Sequence, residues 1–423
     1  MRKTEKFVLA GLFIILVSTV TFSNGSFTNY LLNSADESFR LTALMAWETW
    51  WALVLGFAVA GAVEAWIPED KIIKGLDSSF SGIGRGTFFG FISSSCSFSA
   101  VATAKNLFKK GASASASLAA FMFASTNLVI ELGAVMWVLL GWQFVLANIA
   151  GGLIMILLLG AFLEFLVPEE VVKNARENLV EKEGIKETDP VCGMDVDVRE
   201  CDEKITVNGK TYYFCCESCK NAFKPEKDGK TLKDKFTSLE GWKELASIQW
   251  KEWKMLFDDI AIGLVISGII GGFVPSEVWN SLFLTGTGIT GLIFSAIIGA
   301  LVGSITFVCS VGNVPFAAVL WNSGVPFGAL FSYIYSDLIV PPIVDAYRKY
   351  YGKTFAAVLT GGIFAAAVIS GVATHMLFSW MGLIPETAAR IAEKTFELNY
   401  TFILNTVFTI VFITLYRIKD RQG

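Results

Sequence analysis

The stretch GTFFGFISSSCSFSAVATAKNLFKKG (residues 86–111) occurs twice in this chain of 423 residues. It aligns without gaps with GALVGSITFVCSVGNVPFAAVLWNSG (residues 299–324), at a constant shift of 213 residues. The two copies share nine identical positions, including both residues of a Cys-Ser pair. A repeat with one such pair in each copy, surrounded by apolar sequence, is typical of a protein whose binding site lies where the copies meet.

The composition predicts an all-α polytopic membrane protein. Hydrophobic residues make up 53% of the chain, charged residues 17%, and the mean hydropathy is +0.55. A span needs about 20 apolar residues, and we predict about eight spans. They lie near residues 7–23, 47–67, 112–140, 142–167, 255–274, 326–345, 354–380 and 400–417. A net charge of −4 gives no basic footprint for nucleic acid.

Each repeat contains a polar break within membrane sequence. The first copy reads Ser-Ser-Ser-Cys-Ser over residues 93–97, and the second reads Cys-Ser-Val-Gly-Asn over residues 309–313. Irregular backbone at membrane depth is tolerated only where protein buries it or it lines a cavity. We therefore predict a broken or re-entrant hairpin in each copy. Three spans plus one hairpin per unit give an odd number of crossings, so the second copy is expected to be inverted.

The positive charges predict the orientation and the domain boundaries. With the N-terminus in the cytoplasm, most Lys and Arg residues fall on the cytoplasmic side. Both termini and the long linker are then cytoplasmic, in the cytoplasmic (inner) membrane of a prokaryote. The predicted order is an extra transmembrane helix with an outer loop (1–46), the first permease repeat (47–168), a cytoplasmic linker (169–252), the second permease repeat (253–385) and an extra C-terminal transmembrane helix (386–423).

The linker contains a cysteine cassette. Its candidate metal ligands are Cys192, Cys215, Cys216 and Cys219, and their spacing can bring three or four thiolates to one soft ion. Residues 210–214 are strand-like, and 218–223 start a short helix. The motifs DPVCGM and YYFC with a cysteine four residues on resemble the YHS domain, which is related to TRASH domains, over roughly 188–236.

That resemblance implies a small α+β domain with a bound metal ion as cofactor (zinc, copper or iron) and a role in heavy-metal sensing, trafficking or transport. A purely structural zinc knuckle and a disulfide-stapled linker are the alternatives. Thiols that face the cytosol stay reduced, which disfavours the disulfide.

The membrane part has its own candidate residues. Thiolates bind soft ions, and polar or ionisable residues at membrane depth are costly and often functional. Asn127 and Asp337 align between the repeats with an offset of three residues. The candidate substrate-binding residues are Cys96, Cys309, Ser97, Ser310, Asn313, Asn127 and Asp337. Glu131, Asp337 and His375 are candidates for proton coupling. The alternatives are that the cysteines are packing residues and that the histidine joins helices.

The hairpins with Gly-xxx-Gly before Cys-Ser, and the polar breaks Ser125-Thr126-Asn127 and Ser336-Asp337, resemble the predicted-permease family that includes the ArsP organoarsenical efflux permeases. The resemblance covers both halves and implies efflux of trivalent methylated or aromatic arsenicals without an ATPase subunit. Ser94 and Phe98 stand where such permeases often carry extra cysteines. Two thiols would suffice for a monomethyl arsenic(III).

We predict a permease, not an enzyme, that exports a soft metal or metalloid by alternating access. No Gly-Lys-Thr in the chain has the glycine that a phosphate-binding loop requires, so no nucleotide is expected. The alternatives are a transporter of Cu(I) or another heavy-metal ion, a membrane-anchored metal sensor or storage protein, and an intramembrane dithiol redox protein. The expected partners are the substrate and the lipid bilayer; assembly into a homo-oligomer stays open.

Overall fold

A computed structural model describes most of the chain. The described residues are 3–23, 25–66, 76–93, 97–183, 186–188, 191, 195–197, 201, 203–207, 210–222, 238–284, 288–306, 310–385 and 400–420. Nearly all of their regular structure is helical, which confirms the predicted fold class.

The first half of the chain is a series of helices. They are α1 (Lys3–Phe22), α2 (Phe27–Trp66), α3 (Phe80–Ile92), α4 (Ser97–Lys109), a π-helix (Ser115–Phe121) continuing as α5 (Met122–Asn127), α6 (Ile130–Leu139), α7 (Trp142–Ala161) ending in a π-helical turn (Phe162–Leu166), and α8 (Glu169–Glu183).

The second half repeats this order. Its helices are α10 (Leu239–Phe273), α11 (Ser276–Leu282), α12 (Gly288–Ile305), α13 (Ser310–Asn322), α14 (Phe327–Tyr335), a 3-10 turn (Asp337–Ile339), α15 (Pro341–Tyr351), α16 (Lys353–Trp380) and α17 (Tyr400–Asp420). Helices α4 and α13 each have 13 residues and start 213 positions apart. The helix after each Cys-Ser break is thus duplicated together with its sequence. The inversion of one repeat across the bilayer stays a prediction.

Length and apolarity allow five described helices to cross a membrane, or seven if each of two bent pairs is one span. The bent pairs are Ser115–Asn127 with Ile130–Leu139, at 45°, and Ile260–Phe273 with Ser276–Leu282, at 97°. The segment predicted as one span at 326–345 is divided at Ser336 and Val340 into α14, the 3-10 turn and α15. Helix α12, the first part of the second hairpin, is long enough to span by itself.

Helices α2 and α10 extend past two predicted boundaries. The outer loop expected before residue 47 is helical from Phe27, and α10 begins at Leu239, inside the predicted linker. A Cβ on Gly268 or Gly272 would come within 3.0 Å of backbone atoms of Ser38 on α2. Such close approach needs glycine, so these glycines let α10 pack against the first half of α2.

Glycine also brings the helices of each repeat together. A Cβ added to Gly86 or Gly90 would come within 3.0 Å of the π-helix carbonyls of Ala116 and Phe121. The equivalent Gly299 and Gly303 meet α14 backbone carbonyls in the same way. The identical glycines of the sequence repeat therefore hold α3 against the broken helix of the first repeat, and α12 against that of the second.

The cassette is small and contains two hairpins. Strands β1 (Lys186–Thr188) and β2 (Asp195–Asp197) pair antiparallel, as do β3 (Lys204–Val207) and β4 (Lys210–Tyr213). Helix α9 (Glu217–Ala222) follows. The strand and the short helix predicted on either side of the cysteines are confirmed, and Phe214 between them is buried.

The C-terminal helix α17 packs against α2 and α10 through polar and aromatic contacts. The Nδ2 of Asn405 donates to the carbonyl of Trp47 at 2.8 Å, and its Oδ1 accepts from the Trp51 amide at 3.2 Å. Thr401 donates to the buried carboxylate of Glu48 at 3.1 Å. These contacts fix a helix that has no counterpart between the two repeats.

Candidate functional site

The two breaks bring the starts of two helices together. Ser97 is the first residue of α4, and Ser310 is the first residue of α13. Both side chains are buried, and their hydroxyl oxygens are 3.1 Å apart. Because the two serines are equivalent by the sequence repeat, the repeats contact each other at matching positions.

Asp337 lies at this contact and is 1% exposed. Its Oδ2 accepts hydrogen bonds from the hydroxyl of Ser97, at 3.1 Å, and from the hydroxyl of Ser310. Its Oδ1 accepts from Asn127 Nδ2 at 3.0 Å. We call Ser97, Ser310, Asn127 and Asp337 the serine–aspartate cluster. All four residues were predicted from the sequence, and the structure places them in direct contact.

The backbone places the cluster in a positive electrostatic environment. The N-terminus of a helix has unpaired N–H groups and a partial positive charge, which stabilises an anion. Ser97 and Ser310 stand at two such termini. Asn127 ends α5, where the chain bends, and Asp337 opens the 3-10 turn after α14. The site can therefore hold one carboxylate or another electron-rich group between the two repeats.

Buried amides and phenols surround the cluster. Asn313 lies one turn after Ser310 in α13, and its Oδ1 accepts a hydrogen bond from the hydroxyl of Tyr333 at 2.8 Å. Asn148 donates to the carbonyl of Asn127 at 2.6 Å, and Tyr335 donates to the carbonyl of Asn148 at 3.0 Å. Sequence reasoning selected Asn313 but missed Asn148, Tyr333 and Tyr335. Their polar atoms in apolar spans were the available signal.

Three amide atoms beside the cluster have no hydrogen-bond partner within the described part of the chain. They are Asn127 Oδ1, Asn148 Oδ1 and Asn313 Nδ2, all on buried residues. Buried polar atoms are nearly always paired in proteins. Unused capacity of this kind suits a site that receives a polar ligand.

Two further predicted membrane residues, Glu131 and His375, make other contacts. Cys96 and Cys309 fall outside the described residues. Glu131 is buried in the first turn of α6 and packs closely against Gly56 of α2. The Nδ1 of His375 accepts from the Gly328 amide at 3.3 Å, and His375 lines a cavity of about 550 Å³.

Gly328 precedes Asp337 by nine residues of a mostly helical segment, roughly 13 Å along its axis. His375 is therefore not part of the cluster and does join two helices. The proton-coupling roles of His375 and Glu131 stay predictions.

Three thiols converge in the cassette. The sulfur of Cys215 is 3.7 Å from that of Cys216 and 3.6 Å from that of Cys219, and all three sulfurs lie within 4.8 Å of one another. Hydrogen bonds, first from the backbone of Cys219 and then from the neighbouring thiols, lower the pKa of Cys216. This donor set fits a soft metal ion. Cys192 lies outside the described residues.

The fifth linker cysteine has a different environment. The Cys201 sulfur lies 3.1 Å from the carbonyl of Glu203 and 3.2 Å from that of Phe214. Nearby, Lys220 forms an ion pair with Glu203 at 2.8 Å. Cys201 belongs to the packing between β3 and β4 and provides a matched control for the thiol cluster.

Helix α8 joins the cassette to the membrane helices. Arg176 donates to the carbonyl of Ala112 at 2.6 Å, and its guanidinium lies 4.5 Å from the ring centroid of Phe108. Burial lowers the pKa of Arg176. Phe108 lies near the end of α4, the helix that begins at Ser97. The cassette is thus attached close to a helix that contributes to the cluster.

Repeated broken helices around a buried polar cluster define a multi-pass membrane protein of the transporter class. The chain belongs to the family described as "Predicted permease", whose model matches residues 34–376. It is 35% identical over 326 residues to Rv2963, a Mycobacterium tuberculosis protein named as a permease; the match covers 77% of this chain and 73% of that protein. No solved structure matches the chain.

Proposed function

We propose that this permease exports a soft metal or metalloid, with a trivalent organoarsenical as the favoured substrate. The observation that supports this most is the serine–aspartate cluster, to which both repeats contribute equivalent serines. A site shared by two repeats can open to either side when one repeat moves relative to the other.

The thiols that would bind the substrate precede the cluster in the chain. Cys96 comes directly before Ser97, and Cys309 comes directly before Ser310. A monomethyl arsenic(III) dihydroxide exchanges two As–OH bonds for two As–S bonds with two thiols, and two water molecules leave. Soft thiols favour arsenic(III) and Cu(I) over hard cations. Cu(I) or another thiophilic ion is the alternative cargo.

The cassette would capture or sense the ion on the cytoplasmic side. Cys215, Cys216 and Cys219 form the thiol cluster, and Cys192 is the fourth predicted ligand. In this proposal the termini and the cassette are cytoplasmic, in the inner membrane of a prokaryote. Transport needs no nucleotide and no enzymatic activity of this chain.

The test is accumulation and survival of cells exposed to methylarsenite, arsenite or Cu(I). Wild type is compared with Cys96→Ser, Cys309→Ser, deletion of 188–236, and Cys201→Ser as the matched control. The proposal predicts that wild type lowers the accumulation of one of these substrates. Either hairpin variant should abolish this reduction in accumulation, and Cys201→Ser should not. Hairpin variants that behave like wild type would contradict thiol-mediated export.

A second candidate is a membrane-anchored metal sensor, which the thiol cluster in the cassette favours. In that case only the deletion of 188–236 changes the response of the cells, and the variants of Cys96 and Cys309 do not. An intramembrane dithiol redox protein would instead show a reversible disulfide between Cys96 and Cys309.

A further inference from the structure

Two buried amide atoms, one in the cluster and one beside it, have unused hydrogen-bonding capacity. Asn127 uses Nδ2 to hold Asp337 and leaves Oδ1, an acceptor, without a partner among the described residues. Asn313 uses Oδ1 to accept from Tyr333 and leaves Nδ2, a donor, likewise without one. The two residues are 0% and 1% exposed. A group that both donates and accepts, such as a hydroxyl, matches this pair.

The positive end of each helix already has an occupant. The Asp337 carboxylate takes the hydroxyl hydrogen bonds of Ser97 and Ser310 between the two helix N-termini. A ligand that needs the same hydroxyls must displace this carboxylate. Asp337 sits in a short 3-10 turn between α14 and α15, where the backbone is not held by a continuous helix.

We propose that Asp337 is the resting occupant of a site for a neutral, hydroxylated metalloid. One hydroxyl of the ligand would accept the two serine hydrogen bonds in place of Asp337, and a second hydroxyl would donate to Asn127 Oδ1 and accept from Asn313 Nδ2. The inference rests on the proposed function, because it describes how the same site holds the substrate before thiols replace its hydroxyls.

The same contacts disfavour a bare cation. Cu(I) accepts no hydrogen bond, so Asn313 Nδ2 would remain unpaired beside it. The two helix N-termini would also repel a positive charge. A trivalent metalloid with hydroxyl groups is uncharged and carries both donors and acceptors, so it can use the amides and the serines together.

Methylboronic acid separates this inference from thiol chemistry. It carries two hydroxyls and one methyl group on a three-coordinate centre, as methylarsenous acid does, but it forms no stable bond to thiols. The first measurement is the thermal unfolding of the purified full-length protein at increasing methylboronic acid. The second is inhibition of methylarsenite uptake into everted membrane vesicles by the same compound.

We expect methylboronic acid to raise the Tm of wild type and of the Cys96→Ser/Cys309→Ser variant equally. Asn313→Ala and Ser310→Ala should each weaken binding by about tenfold, the effect of a lost hydrogen bond to a buried partner. Asn405→Ala, which removes a buried amide with both ends paired between helices, is the matched control and should bind as wild type does.

Asp337→Asn tests the displacement itself. Hydrogen bonds to an ionised group are roughly twice as strong as those to a neutral one, so the amide holds the serines less firmly. Binding of methylboronic acid should therefore tighten by several-fold. Weaker binding in this variant would overturn the displacement, since the carboxylate would then be a ligand.

The outcomes distinguish the two proposals. If methylarsenite is transported but methylboronic acid neither stabilises nor inhibits, the hydroxyl site is refuted and thiol-mediated export stands. If methylboronic acid binds as described and methylarsenite is not transported, the site is supported and the proposed export function fails. Equal loss of binding in Asn405→Ala and Asn313→Ala would show a general packing defect and would also refute the hydroxyl site.

Discussion

The two repeats share a backbone plan but differ in one functional group. Asn127 ends a broken helix in the first repeat, and Asp337 follows one in the second, both beside the paired serines. The amide donates to the carboxylate, so the pair is complementary. A carboxylate in both repeats would place two like charges within hydrogen-bonding distance. The two repeats therefore contribute equivalent serines, whereas the unlike pair Asn127 and Asp337 determines the charge of the site.

The breaks also differ in geometry. The first repeat approaches Asn127 through a π-helix and then bends by 45° into α6. The second approaches Asp337 through an α-helix and passes it in a 3-10 turn. Both irregularities free backbone groups near the cluster, as is common at functional sites in helices. Equivalent function does not require equivalent hydrogen bonding along the broken helix.

The largest effect is expected from Asn127→Asp, which removes the difference between the repeats. Two carboxylates would replace a hydrogen bond of 3.0 Å, and an uncompensated buried charge costs about 3–5 kcal/mol. We expect loss of transport and a lower free energy of unfolding at pH 8.

Repulsion raises the pKa of one carboxyl in such a pair. The lost stability should therefore return as the pH falls and that group is protonated. Denaturant titrations at pH 8 and pH 5 check this. Stability equal to wild type at pH 8 would show that the two side chains do not interact.

The serines provide the next test, because they are equivalent in sequence and share one carboxylate oxygen. Ser97 and Ser310 both donate to Oδ2 of Asp337. Hydrogen bonds to charged groups contribute about 1.5–3 kcal/mol, so Ser97→Ala and Ser310→Ala should each destabilise by a similar amount.

Thermal unfolding of both variants and of the double variant measures these effects and their coupling. The control is Ser267→Ala, which removes a buried hydroxyl bonded only within its own helix at 2.6 Å. Strictly additive effects of the two cluster serines would argue against a shared carboxylate.

Alanine substitution of the equivalent glycines should destabilise both repeats alike. A Cβ at Gly90 or at Gly303 meets backbone atoms of the neighbouring helix within 3.0 Å. Overpacking costs about 1–3 kcal/mol, so both alanine variants should lower the Tm by similar amounts. Gly84→Ala is the control, since a Cβ there has no neighbour within 4 Å. A large decrease in Tm for only one of the two variants would show that the two glycine contacts are not equivalent.

The smallest effect is expected from the cassette, which has no counterpart in either repeat. The lowered pKa of Cys216 makes its thiolate persist to lower pH than in an ordinary cysteine, whose pKa is about 8.5. Labelling with iodoacetamide against pH, read by mass spectrometry, should show a lower midpoint for Cys216 than for the cysteine of an unstructured reference peptide. Labelled protein should keep the Tm of its membrane part. A midpoint equal to or above that of the peptide would contradict the hydrogen bonding around Cys216.

Sequence reasoning selected the four members of the cluster as candidates because they have unusual positions. Ser97 and Ser310 follow duplicated cysteines, and Asn127 and Asp337 are polar residues in matching apolar spans. It could not find the contacts that depend on distant parts of the chain. Tyr335 reaches Asn148 across 187 residues, and no local pattern indicates such a bond.

The early start of α2 could not be predicted from local sequence patterns either. Its first half contains Asp36, Glu37 and Arg40, which lower the apolarity on which span prediction depends. The helix is held by glycines of α10, more than 200 residues away. The polar first half of α2 packs against this distant helix, which no local window of sequence contains.

The most direct test of the central account exchanges the two unlike groups of the repeats. Transport of methylarsenite into everted vesicles is measured for Asn127→Asp, for Asp337→Asn and for the double variant that carries both. If the cluster is one site shared by two equivalent repeats, the double variant restores a single carboxylate beside the serines, and it should transport better than Asn127→Asp. A double variant as inactive as Asn127→Asp would contradict a shared site.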